Sequence, residues 1–242
     1  MTHVIDNRGV RMTVDGVTGV VEQSLEYLPS GKMLLIYDED GYLLDLSFYG
    51  EWATTDGVCV LKNGHLVWGP TFPHSFVIDN YRTFATETDG NGGTFFDYYK
   101  MHNYNDARML FEFLSGNTNV EWSWISANFG MLQYISTSHD GKREHGGTVI
   151  LNDPSAYGLY NLEKHSHNHP SGNGVPSGFD SPEPAKDIGF ARLVENNYGH
   201  TVKFYIYVAA TGAYTSYNSN SEYSDFHETN LEGAVVTAPK RK

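Results

Sequence analysis

From residue 165 the chain alternates: His165-Ser166-His167-Asn168-His169, then Pro170. Alternate residues of a strand point to one face, so a strand here sets three imidazoles side by side. Pro170 removes a backbone donor and ends the pairing. The fold must therefore bring a strand end to a polar site. Residues 171–178 are rich in Gly, Ser and Pro, and two aspartates follow, Asp180 and Asp187. Asp187 opens a helical pattern over residues 185–195, where Ile188, Phe190, Ala191, Leu193 and Val194 make a wide apolar side. Imidazoles and a carboxylate converging from a strand end and the loop after it form a metal-ligand set.

The rest of the chain supplies the frame. Residues 1–99 read as β-rich. Apolar runs at 33–37 and 42–48 flank turn residues, and runs at 58–61 and 65–68 flank Asn63-Gly64, the chemistry of a tight hairpin. A helix is expected over 105–115, with Asn105 as its cap and Ala107, Leu110, Phe111 and Leu114 on one face. A strand over 120–125 puts Val120, Trp122 and Trp124 on one face and Glu121, Ser123 and Ile125 on the other. Further strands are expected at 131–137, 147–151, 202–208 and 213–217, the last two as a hairpin. The order predicts an α/β fold, a mixed sheet flanked by helices with a β-rich N-terminal extension. Three regions follow: 1–99, 100–217, and a polar tail, 218–242, mobile or lying on the surface.

Charge narrows the partners. With 16 Lys and Arg against 29 Asp and Glu, the net charge is -13. Nucleic acids and anionic membrane surfaces bind clustered cations, so both are disfavoured. The single cysteine, Cys59, lies in an apolar run and reads as a buried strand residue. It excludes an intrachain disulfide and a cysteine-based zinc site. No segment resembles a signal peptide or reaches the roughly 18 apolar residues of a membrane helix. A soluble chain is expected.

His167-Asn168-His169-Pro170, then Pro176-Ser177 and Asp180, resembles the JAB/MPN metalloprotease motif, also called JAMM: HxHP, a spacer, SxxD, and a glutamate on an earlier strand. Residues 117–124 and 187–191 are similar to the JAB-like toxin domains at the C-termini of bacterial polymorphic and Rhs-type toxins. The resemblance spans roughly residues 100–217. It implies a Zn²⁺ peptidase or isopeptidase with His167 and His169 as ligands, an Asp as the third, Glu121 as general base and Ser177 as oxyanion donor. It also implies a protein substrate, ubiquitin-like or another target-cell protein, and a cognate immunity protein. Such a chain is expected to act as an effector delivered by a route without a signal peptide.

Two points stay open in the sequence. Asp180 fits the motif spacing, but Pro182 and Pro184 interrupt any helix that starts at Ser177. If residues 178–186 are an insertion, Asp187 is the ligand instead. Glu121 has a plain alternative, a solvent-facing strand residue or a partner of Arg108. Glu22, Glu26 and Glu51 lie upstream of the resemblance. His165 is read as a supporting or merely polar residue, and His139 and His145 as loop residues.

Overall fold

The computed structural model describes residues 2–5, 11–14, 21–22, 34–42, 53–63, 65–86, 93–144, 146–152, 159, 161–181, 183, 186–199 and 201–226. The expected strand at 42–48 lies, beyond Tyr42, outside them, as do His145, Glu26 and Glu51.

A nine-stranded sheet forms the frame, and its strands over 123–127 and 132–137 are buried on both faces. The strands of this sheet are β4 (Leu34–Tyr37), β5 (Ala53–Lys62), β6 (His65–Thr86), β7 (Gly93–Met101), β8 (Ser123–Ala127), β9 (Leu132–Thr137), β10 (Leu162–Asn168), β11 (Lys203–Val208) and β12 (Ala213–Tyr217). Their spatial order is β12-β11-β10-β8-β9-β7-β6-β5-β4. β10 runs parallel to β11, and β4 parallel to β5; the other neighbours are antiparallel. Three short strands, β1 (Thr2–Ile5), β2 (Arg11–Val14) and β3 (Val21–Glu22), form a separate antiparallel sheet. Glu22 lies at its end.

The helices are α1 (Tyr104–Asn117), α2 (Gly146–Asn152) and α3 (Asp187–Tyr198). On one face of the sheet, Leu110, Phe111 and Leu114 of α1 pack with Trp122, Trp124, Tyr99 and Tyr207. On the other, Ile150 of α2 and Ile188, Ala191 and Val194 of α3 pack with Ile125, Phe204, Ile206 and Tyr217. Strand β8 is buried on both sides, since Trp124 and Ile125 point to opposite cores. Truncating a buried aromatic such as Trp124 costs about 3–5 kcal/mol, so the two faces share the stability of the sheet.

Two local expectations change. The cap of α1 is Asn103, whose side chain accepts the backbone N–H groups of Asn105 and Asp106. The strand expected at 147–151 is helix α2. Its β-branched residues favour a strand, but Ile150 and Leu151 are buried in the second core, and Glu144 accepts the Gly147 N–H at the helix start. Tertiary contact and an end cap outweigh propensity there. The tail does not leave the surface at once. Ser219 donates to Glu195 of α3, and a 3-10 turn (Tyr223–Asp225) brings Tyr223 and Phe226 against Phe179.

Candidate metal centre

The C-terminal end of β10 meets the N-terminus of α3. Register places His165 and His167 on the face that packs against α3, opposite Ile125 and Ser123 of β8. Continuing that ladder sets Glu121 opposite His169. Glu121 precedes β8 rather than lying in it, but it stays on the expected face and is 8% exposed. Arg108 pairs instead with Glu112 at 3.6 Å.

His167, His169 and Asp187 come together, with one ligand atom from each inside a 4.8 Å span. His167 Nε2 lies 3.1 Å from His169 Nε2 and 3.1 Å from Asp187 Oδ1, and His169 Nε2 lies 3.5 Å from Asp187 Oδ2. A tetrahedral zinc with arms of 2.0–2.1 Å has ligand–ligand edges of about 3.3 Å. The three separations lie near that edge, with each histidine facing a different Asp187 oxygen, so the group has the donor chemistry and the span to hold a metal ion.

The tautomer fits as well. His169 Nδ1 lies 2.9 Å from the Asn173 carbonyl, which can only accept, so Nδ1 carries the proton and Nε2 keeps its lone pair. The loop that brings Asn173 there needs Gly174. A Cβ on it would lie 2.8 Å from Val208 Cγ2 and 3.0 Å from Thr215 Oγ1.

Ser177 is exposed and tied to Asp187. Its N–H donates to Asp187 Oδ2 at 2.7 Å, and its Oγ accepts the Asp187 N–H at 3.2 Å. Ser177 thus caps α3 from across the loop, since Lys186 at the cap position makes no side-chain bond. Asp180 sits exposed in a turn and is not in the ligand group.

The charges are interdependent. Burial opposes ionisation of Asp187, but the adjoining imidazoles of His167 and His169 outweigh it and hold its carboxyl well below the usual range. Burial likewise opposes the charge on His169, and the Asp187 carboxylate raises it. Burial pushes Glu121 up to about 8; His169 pulls down, while Asp187 and Glu144 push further up. Burial and the neighbouring His167 lower His165 to about 3, so it is a neutral ring.

Two residues of the site carry no signal in the sequence motif. Asn168 lies between His167 and His169, 1% exposed, and its side chain bonds to the backbone on both sides of Glu121. Glu144 lies behind β10. Its Oε1 takes the Ser136 hydroxyl at 3.2 Å and the Gly147 N–H at 2.8 Å, and its Oε2 stands 4.0 Å from His165 Nε2. An Asn in HxHP and a Glu in a polar loop are ordinary residues there; only the cross-strand register singles them out.

Residues 99–192 match the family model of JAB-like toxin 1. This segment is similar to the JAB-like toxin domains. It runs from β7 into α3 and includes Glu121, His167, His169 and Asp187. The six strands β7 to β12 and the three helices make its mixed α/β frame, in which β11 and β12 lie beyond the matched segment. No curated protein and no solved structure matches the chain. Among the described residues no helix is long and apolar enough to cross a membrane.

Proposed function

We propose that the JAB-like toxin domain is a zinc-dependent JAMM-type peptidase or isopeptidase, acting as the toxic part of a bacterial effector. The observation that carries this is the convergence of His167 Nε2, His169 Nε2 and the Asp187 carboxylate within 4.8 Å, with the buried Glu121 at the same strand ends. His167, His169 and Asp187 hold the metal. Three protein ligands leave one position for water or substrate, as a catalytic zinc requires. When bound, zinc supplies Lewis acidity, acidifying water and polarising a carbonyl.

The chain's own groups do the rest. Glu121 takes a proton from the attacking water as its oxygen adds to the carbonyl carbon, and returns it to the amine as the C–N bond breaks. Ser177 Oγ accepts the Asp187 N–H, so its own hydrogen is left to donate to the oxyanion. The substrate is a protein of the target cell, and a cognate immunity protein protects the producer. The domain acts as a secreted effector. Region 1–99 belongs to the same effector as a β-rich extension, and the boundaries of the catalytic region are residues 100–217.

The alternative is a metal-binding recognition module of the same fold. Purified wild type, His167→Ala and Glu121→Gln separate the two. One zinc per chain in wild type, lost in His167→Ala, is expected. Glu121→Gln should keep zinc and lose the growth arrest that the wild-type chain causes in a bacterial host. Growth arrest by Glu121→Gln equal to wild type would leave the recognition module, and absence of zinc from wild type would remove both readings.

A further inference from the structure

Asn168 is hidden between the two ligand histidines, and its alternation in β10 turns its side chain away from them. Three hydrogen bonds link it to the segment that carries Glu121. Its N–H donates to the Trp122 carbonyl at 3.2 Å, as a strand residue does. Its side-chain Oδ1 accepts the Trp122 N–H at 2.7 Å, and its Nδ2 donates to the Val120 carbonyl at 3.3 Å. The amide therefore stands in for a strand where the ladder of β8 has already stopped. Glu121 itself is fixed from the far side: its N–H donates to the Asp140 carbonyl at 2.8 Å, and its carbonyl accepts the Thr137 hydroxyl at 2.8 Å.

Between these bonds residues 120–122 are held from both flanks. Loss of the Asn168 amide would leave the Trp122 N–H and the Val120 carbonyl buried without partners, and the segment would shift to reach water. An error of about 1 Å in the placement of a reacting group can cost around 100-fold in rate.

We propose that Asn168 is a positioning residue for Glu121: one side-chain amide ties the glutamate segment to the same two-residue step that spaces the metal ligands. The strand then delivers ligands from one face and places the base through the other. This rests on the role given above to Glu121. A serine at 168 would be too short to reach both backbone groups, so the amide is specific to the task in this chain.

The test uses the full chain with Asn168→Ala, Asn168→Asp and, as a comparator, Leu132→Ala, a cavity at the end of β9 that pairs with Ala127, away from residues 120–122. Zinc affinity, by chelator competition, should stay within about twofold of wild type in both Asn168 variants, because the ligands are untouched. Hydrogen exchange at the Trp122 amide should accelerate at least about tenfold in Asn168→Ala, while Ile125 stays protected. Asn168→Asp keeps the acceptor for Trp122 but turns an oxygen on the Val120 carbonyl, so it should lose growth arrest with less change in Trp122 exchange. Leu132→Ala should lose overall stability yet keep growth arrest wherever it remains folded. Growth arrest and Trp122 protection unchanged in Asn168→Ala would overturn the proposal. So would loss of zinc in the Asn168 variants, since Asn168 would then serve the ligands. A wild type that binds zinc without arresting growth would instead overturn the toxin reading and leave the exchange measurement to decide this one.

Discussion

Ser177 and Asp187, ten positions apart, exchange two hydrogen bonds: the serine N–H reaches the aspartate carboxylate at 2.7 Å, and the aspartate N–H reaches the serine hydroxyl at 3.2 Å. The pair closes the loop between them and aims the carboxylate at the histidines. Asp187→Ala should therefore abolish stoichiometric zinc binding, while Asp180→Ala should keep it. Metal content of the two purified variants decides; the reverse pattern would return the ligand role to Asp180. Ser177→Ala should keep zinc, because the backbone N–H remains, and lose about 0.5–2 kcal/mol of stability with the cap.

Metal should stabilise the fold, since its ligands come from β10 and α3 and are far apart in the unfolded chain. With free zinc at 100 times its dissociation constant, unfolding should cost about 2.7 kcal/mol more than in chelator. Thermal melts of wild type and His167→Ala with and without zinc check this. An equal zinc response in both proteins would count against the site.

In the metal-free chain Glu121 keeps its proton to about pH 8, against an ordinary value near 4.5 in the unfolded chain. Burial causes this first. Between those values the folded state binds more protons than the unfolded state, so stability falls as pH rises from about 4.5 through 8. The contribution is of the order of a few kcal/mol. Glu121→Gln removes it, so urea unfolding in chelator should show the variant gaining on wild type between pH 5 and pH 8. Parallel profiles would mean that the carboxylate is solvated when metal is absent.

His139 joins the turn after β4 to the core of the toxin domain. Its Nδ1 lies 3.0 Å from the Asp40 carbonyl, its Nε2 lies 3.0 Å from Asp97 Oδ2, and its ring stacks on Tyr42 at 3.8 Å. Asp97 is fully buried. Losing a hydrogen-bond partner of a buried acceptor typically costs about 1–3 kcal/mol. His139→Ala should lose stability on that scale, read from denaturant unfolding. A neutral variant would mean that the turn at 38–42 is passive.

Gly147 lies against the Glu144 carboxylate and His165. A Cβ there would sit 2.7 Å from Oε2 and 2.8 Å from Nε2. Gly147→Ala should therefore cost about 1–3 kcal/mol, measurable by denaturant unfolding. A neutral result would mean that Glu144 can swing aside.

Much of the frame was legible because it follows period and turn chemistry. The α1 face, the two faces around Trp124, the Asn63 hairpin and the final hairpin all depend on local pattern. The histidine alternation fixed which ring faces which side. Helix α2 was not legible: Gly-Thr-Val-Ile-Leu reads as a strand until Glu144 and the second core act on it. The third ligand stayed open between Asp180 and Asp187 because sequence spacing cannot tell how a loop closes. The structure brings Asp187 to the histidines through Ser177, which no periodicity encodes. Asn168 and Glu144 escaped for a related reason, since each acts on residues distant in the chain.

The closed loop from Ser177 to Asp187 has a consequence for how relatives are found. Its ends are pinned to each other, so its length can change while the carboxylate stays in place. A search that demands a fixed number of residues between the serine and the aspartate would accept this chain on Asp180, which stands outside the group formed by His167, His169 and Asp187. It would also pass over sequences in which the excursion is longer and no acidic residue happens to stand at the expected count. The invariant to search for is a capping contact in space, with any amount of chain looped out between its two ends.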